Sequence, residues 1–245
     1  MDLNLDWGVL LQESPTGDGP YWQLLWTGAK WTVATALTGW ALALLVGSIV
    51  GVMRTLPYKP LAWLGDAYVE VVRNIPLLVQ LFFWFFVWPE LLPREIGLWY
   101  KQDMPYPEFI TAALALGWFT AARVAEQVKS GILSLPRGQK NAALALGFTL
   151  PQTYRLVVLP QAFRIVIPPL TSEFMNIFKN SAAALAIGLT ELTFQMKQMV
   201  EYSNEVIVSI AAVTTIYMVM AFAVNRGMAW LERKSRIPGM IGGGR

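Results

Sequence analysis

The chain contains neither cysteine nor histidine among its 245 residues, and only 14% of them are charged. Without cysteine there are no disulfides and no thiolate nucleophiles. Without histidine there is no imidazole base, and most zinc and haem sites lose their ligands. A hydrolase would have to rest on carboxylates or on serine with lysine, and no such cluster is visible. The G-x-x-x-x-G-K-[ST] loop that cradles ATP phosphates is missing as well. The first thirty residues carry Asp2, Asp6 and Glu13 and no basic n-region, so no cleavable signal peptide is expected.

What the chain has in abundance is apolar surface. Hydrophobic residues make up 55% and the mean hydropathy is +0.45, whereas a soluble domain is nearer 25% charged. The run from Trp31 to Met53, between Lys30 and Arg54, is uncharged for 23 residues, longer than the roughly 20 that cross hydrocarbon. Eleven tryptophans suit a protein with two water–lipid boundaries to anchor. The expected fold class is therefore an all-α integral membrane protein with about five transmembrane helices. The spans are read at Trp31–Met53, 77–92, 109–127, 162–187 and 206–224, the middle three interrupted by prolines or charges.

Five spans put the termini on opposite sides. With the N-terminus outside, the inner segments hold Arg54, Lys59, Arg73, Lys129, Arg137, Lys140, Arg155, Arg164, Arg226, Arg233, Lys234, Arg236 and Arg245. The outer segments hold only Lys30, Arg94, Lys101 and Lys197. Excess basic charge marks the cytoplasmic side. The expected layout is a single membrane domain, with an outer segment at 1–30, a core at 31–234 and a flexible cytoplasmic tail at 235–245.

Between the third and fourth spans the sequence reads NAALALGFTLPQTYRLVVLP, residues 141–160. Ala142, Ala143 and Leu146 share a helical face, and Gly147 suits a left-handed position just past a helix end. Thr149 and Gln152 form a T-x-x-Q capping box with Pro151 inside the first turn of the next helix. Leu150, Tyr154 and Val158 make its apolar stripe, and Leu159-Pro160 is expected to end it. Two short helices meeting at a glycine corner thus project from the inner face. An amphipathic hairpin lying on headgroups is the alternative, but the first helix is alanine-rich and nearly uncharged, which favours a protein partner over lipid.

Ala142, Ala143, Gly147, Val157, Leu159 and Pro160 stand in the register E-A-A-x3-G-x9-I-x-L-P, with Asn141 in place of the usual Glu. This resembles the cytoplasmic signature of ATP-binding-cassette importer permeases. "VEVVRNIPLLVQLFF", with Arg73, Pro76 and Gln80, resembles an element of the polar amino-acid uptake branch. "LPQAFRIVIPPLTSEFMNIFKNSAAALAIGLTEL" is similar to that branch's second half at Gln161, Pro168, Pro169, Lys179, Ser181, Glu191 and Leu192. The third span reads "AARVAEQVKSGI", with Arg123 where the branch usually has Tyr, and the glutamate/aspartate importer permeases are the closest in pattern.

The resemblance implies a type I importer permease fold in the bacterial inner membrane. Its coupling helix, here Asn141, Ala142, Ala143, Leu146, Gly147, Phe148, Thr149 and Leu150, would dock on an ATP-binding subunit. It further implies two copies of that subunit, with ATP and Mg bound there and no cofactor in this chain. A second, related permease and an extracytoplasmic solute-binding protein would complete the assembly, with no nucleic acid partner and no enzyme activity of the chain's own.

Arg123 and Glu126 lie three apart on one helix face, and a charge inside a span normally faces a partner or a water-filled path. The expectation is that Arg123 binds an anionic substrate through its planar guanidinium while Glu126 holds its orientation. Snorkelling of Arg123 to the inner surface is the alternative. Asn176, Lys179 and Asn180 on the fourth span are read as a polar lining, or, alternatively, Lys179 as a structural bond to a neighbouring helix. The aromatic run LFFWFFVW, residues 81–88, reads as a packing or lipid-facing surface. An ion-driven secondary transporter would show inverted repeats and carboxylates at the midplane, and neither is present.

Overall fold

The computed structural model describes residues 5–235, whose regular secondary structure is all helical apart from one isolated bridge between Glu13 and Pro20. The tail read at 235–245 lies outside the described residues except for the last helical residue. Helix α1 runs Tyr21–Met53, starting directly after Pro20 and ten residues earlier than the uncharged run implied, so Lys30 lies within it. Its spine carries Gly39, Ala43, Gly47 and Gly51 at intervals of four. Such a stripe lets two backbones approach where lipid gives no hydrophobic drive.

The stripe meets α6, Pro107–Leu133. A methyl group added at Gly47 would lie 2.6 Å from Val124 Cβ and 2.7 Å from the Ala121 carbonyl oxygen. One added at Gly51 would lie 2.6 Å from Val128 Cβ and 2.9 Å from the Ala125 carbonyl. These two helices form the central pair of the fold, and every candidate site hangs from it.

Between them the chain makes α2, Lys59–Asn74, and then turns by 104° into the segment Leu77–Leu91. The corner sits at Ile75-Pro76 because a residue before proline is pushed out of the α region, and Ile75 is extended at φ −97°, ψ 128°. Gln80 secures it, donating to the carbonyls of Val72 at 2.8 Å and Ile75 at 2.9 Å, which the end of α2 leaves unpaired. The second arm comprises α3 (Leu77–Phe82), a π turn (Phe83–Val87) and α4 (Trp88–Leu91). It is followed by the short α5, Arg94–Gln102.

After α6 come α7 (Arg137–Ala145) and α8 (Leu150–Thr153). Leu159-Pro160 does not end the second helix, contrary to the sequence expectation. A π turn at Tyr154–Val158 carries the chain straight into α9, Leu159–Asn180. A proline clashes with the carbonyl four residues back. The π turn removes that demand by bonding the Leu159 N–H to Tyr154 instead. The same device precedes Pro89, where the Trp88 N–H bonds to Phe83.

A 3-10 segment, Ser181–Ile187, then leads to α10 (Leu192–Ser203) and α11 (Val206–Ser235).

Helices stand at all five positions read as spans. Helices α1, α6 and α11 are long and apolar enough to cross a membrane, and the bent pair α2 with Leu77–Leu91 is a fourth if taken as one span. Helix α9 occupies the remaining position but carries Arg164, Glu173 and Lys179, so length and composition alone do not mark it.

Candidate functional site

The corner around Gly147 is rigid by construction. Helix α7 closes with the Phe148 N–H bonded to the Ala143 carbonyl at 3.1 Å and the Gly147 N–H to Leu144 at 3.0 Å. This is the Schellman pattern, which needs a left-handed residue at its apex; Gly147 supplies it at φ +88°. Both halves of the Thr149–Gln152 capping box are formed. Tyr154 and Val158 are buried and Leu150 is half-buried against the end of α6, as the stripe required. Tyr154 also donates its hydroxyl to the Thr55 carbonyl at 2.7 Å.

The rest of the corner faces outward. Of Asn141, Ala142, Ala143, Leu146, Gly147, Phe148, Thr149 and Leu150, only Ala143 is buried, and Leu146 is 80% exposed. Leu144 and Phe148 add to this apolar tip. A cleft of about 420 Å³ lined by Arg137, Lys140, Asn141 and Tyr154 separates α7 from the bundle. The tip is stiff, apolar and unoccupied by the chain's own residues.

The charged residues of α6 are paired differently from the sequence expectation. Glu126 does not orient Arg123. Arg123 donates through Nε to Glu173 on α9 at 2.7 Å. Glu126 instead receives Arg54 at 2.9 Å and, at 3.5 Å, Arg73. The reason is angular: successive carboxylate and guanidinium groups on one face can reach each other, but each also lies against a different neighbouring helix. Pairing across helices gives buried Glu173 and buried Arg54 each an opposite charge. Glu173 is deeply buried, its side chain 8% exposed, while Arg123 keeps 42% of its surface. Its terminal amino groups have no partner among the described residues.

Glu126 belongs to a second cluster where α1, α2 and the far end of α6 converge. Arg54, its side chain 6% exposed, bridges Asp66 at 2.6 Å and Glu126, and Lys129 closes on Asp66 at 2.9 Å. Together with Arg73 and Glu70 these groups line an open polar crevice of about 560 Å³. Arg54, Asp66, Lys129 and Glu173 were not singled out as a site from the sequence. The available signal was Asp66, Glu70 and Arg73 recurring on one face of α2.

The proposed lining of α9 is part open and part covered. Lys179 is exposed, and Asn176 and Asn180 are half-buried. None of the three has a side-chain partner among the described residues. Glu191 is fully buried at the start of α10. It caps that helix by accepting from the Phe194 N–H at 2.8 Å, and takes hydrogen bonds from Tyr217 on α11 at 3.1 Å and Thr32 on α1 at 3.4 Å. Burial raises its pKa, against the lowering effect of the Phe194 and Tyr217 bonds.

Against known families, the model of the binding-protein-dependent transport system inner membrane component matches residues 43–237. The chain belongs to this family. Over 99% of its length the permease is 47% identical to the full length of the glutamate/aspartate import permease protein GltJ of Escherichia coli K12. It is 30% identical to the glutamate/aspartate import permease protein GltK of E. coli O6:H1, covering 94% of this chain and 98% of that one. A crystal structure of an amino acid ABC transporter with histidines superposes with a TM-score of 0.73 at 29% identity, covering 87% of this chain and 95% of its own. The permease is thus an amino-acid transport component with the ABC importer fold. Its family resides in the inner membrane, and its helices are apolar enough to do so.

Proposed function

We propose that this permease forms part of the gate of a glutamate/aspartate importer driven by ATP hydrolysis on separate subunits. The observation that carries the substrate assignment is the 47% identity, end to end, with a permease named for glutamate and aspartate. Arg123 supports it: Glu173 occupies one edge of the guanidinium, leaving its other donors half-exposed for a carboxylate. Asn176, Lys179 and Asn180 add polar groups along the same passage, and Lys179 contributes an unpaired cation.

ATP and Mg bind to the partner subunits in this reading, since the chain lacks a phosphate-cradling loop. One such subunit seats on the Gly147 corner, whose rigidity transmits the approach of the two subunits to α9 through the continuous helical run 150–180. Closure of the ATP-bound subunits favours one arrangement of the spans, and hydrolysis releases it. A second, related permease completes the passage, in keeping with GltJ and GltK carrying the same transport name. A solute-binding protein outside delivers the amino acid. The N-terminus lies outside and the C-terminus in the cytoplasm, following the distribution of basic residues.

The test is uptake in proteoliposomes holding the permease with its partner proteins. ATP-dependent accumulation of glutamate and aspartate is expected, with Arg123→Ala raising the substrate concentration needed. Uptake that ignores ATP and follows an imposed ion gradient would overturn the coupling. Equal uptake of glutamine would overturn the specificity.

A further inference from the structure

Away from the central pair, α1 and α11 join one apolar cluster through α10, with Ala29, Leu192 and Val208 among its members, and leave a groove between them. The groove holds about 730 Å³, and its walls include Trp22, Trp26, Lys30, Val33, Val219 and Met220. Trp22, Trp26 and Val219 are strongly exposed. From Trp22 to Ala34 the α1 wall is about 18 Å long at 1.5 Å per residue. That is close to the ~15 Å depth of one hydrocarbon leaflet.

One charge interrupts this apolar surface. Lys30 Nζ lies 5.5 Å from the Trp26 ring centroid and has no carboxylate partner among the described residues. It sits between the two tryptophans, which belong at headgroup level, and the wholly apolar wall formed by Val33, Val219 and Met220. A free cation at the mouth of a leaflet-deep apolar slot complements a molecule with an anionic head and a hydrocarbon tail.

We propose that this groove is a binding site for an anionic phospholipid, with its phosphate on Lys30 and one acyl chain between α1 and α11. The Trp26 face that holds the Lys30 ammonium also limits its wandering, so the cation is presented toward the head group. Such a lipid would brace α11 against α1 on the side where the two helices diverge. The site requires only that these helices be in a bilayer, and stands apart from the choice of transported amino acid.

Native mass spectrometry of the detergent-purified full-length permease, titrated with phosphatidylglycerol and with phosphatidylcholine of the same chains, tests this. Wild-type protein is expected to retain one phosphatidylglycerol preferentially. Lys30→Ala should weaken that retention about five-fold, the contribution of one basic side chain at a membrane surface. Lys30→Glu should abolish the preference. Val219→Trp, which fills the groove from an exposed position, should weaken both lipids. A photo-crosslinking residue at position 219 then identifies the occupant in native membranes. A phospholipid adduct supports the site. A crosslink to a second permease chain overturns it, as does unchanged lipid retention in Lys30→Glu and Val219→Trp.

Discussion

The contact between α1 and α6 makes a prediction whose sign depends on how near two backbones lie. Replacing Gly47 by alanine removes the penalty of glycine inside a helix, about 1 kcal/mol in favour of the variant. The added methyl would, however, lie 2.6 Å from Val124 Cβ and 2.7 Å from the Ala121 carbonyl oxygen. Carbon contacts settle near 3.5–4.0 Å, so the overlap is about 1 Å. Neither neighbour can swing aside, because one is backbone and the other is the branch point of a stiff side chain. The helices must separate, and overpacking of this kind costs about 1–3 kcal/mol. The net expectation is a destabilisation of up to about 2 kcal/mol. Gly227 on α11 is the control: no atom lies within 4 Å of the position its methyl would take. Gly227→Ala should therefore stabilise, by up to about 1 kcal/mol.

Thermal unfolding of the purified permease in one detergent compares the two. The Gly47→Ala midpoint should fall below the wild type and that of Gly227→Ala should rise above it. The double variant Gly47→Ala/Gly51→Ala should lose less than the sum of its parts, since one separation relieves both overlaps. A Gly47→Ala midpoint at or above the wild type would refute backbone contact at this crossing. Separation would also draw Arg54 away from Glu126, so ATP-driven uptake should decline in the same variants.

Three further outcomes follow from the charged and cornered positions. Arg123→Ala should destabilise more than Arg123→Ala/Glu173→Gln, because the single change strands a buried carboxylate; with Arg123 half-exposed, a coupling of about 1 kcal/mol is expected from a double-mutant cycle of unfolding midpoints. Gly147→Ala meets no atom within 4 Å, so its effect is the left-handed backbone alone, about 1–2 kcal/mol. It should lower uptake per ATP hydrolysed, with Gly147→Asn milder. Glu191 has its pKa raised by burial above the usual 4.5, so its stabilising contribution is full below that value and is lost as pH rises through the folded-state pKa. The unfolding midpoint of wild type relative to Glu191→Gln should fall with rising pH across that range, and a constant difference would show that folding does not shift the Glu191 pKa.

The parts of this molecule readable in its sequence are those decided within one helical turn. Thr149 and Gln152 are three apart and need only their own backbone, so the capping box could be foreseen. Gly147 was equally plain, because the left-handed apex penalises any other residue. Local spacing points to the wrong partner for Arg123. Glu126 is three residues away, yet Glu173 is 50 residues away in sequence and 2.7 Å away in space. In water an i, i+3 pair is a fair guess because the solvent tolerates what remains unpaired. Within apolar surroundings an isolated carboxylate such as Glu173 is costly enough to recruit a cation from another helix.

Pro160 departs from its local signal for a related reason. Taken locally it ends a helix; in place, a π turn accommodates it and α9 continues for 22 residues. That continuity matters to the mechanism proposed. If Leu159-Pro160 had broken the chain, the Gly147 corner would have been a flap on a hinge. As an unbroken helical run from Leu150 to Asn180, it is a lever, with the apolar tip at one end and Glu173, Lys179 and Asn180 toward the other.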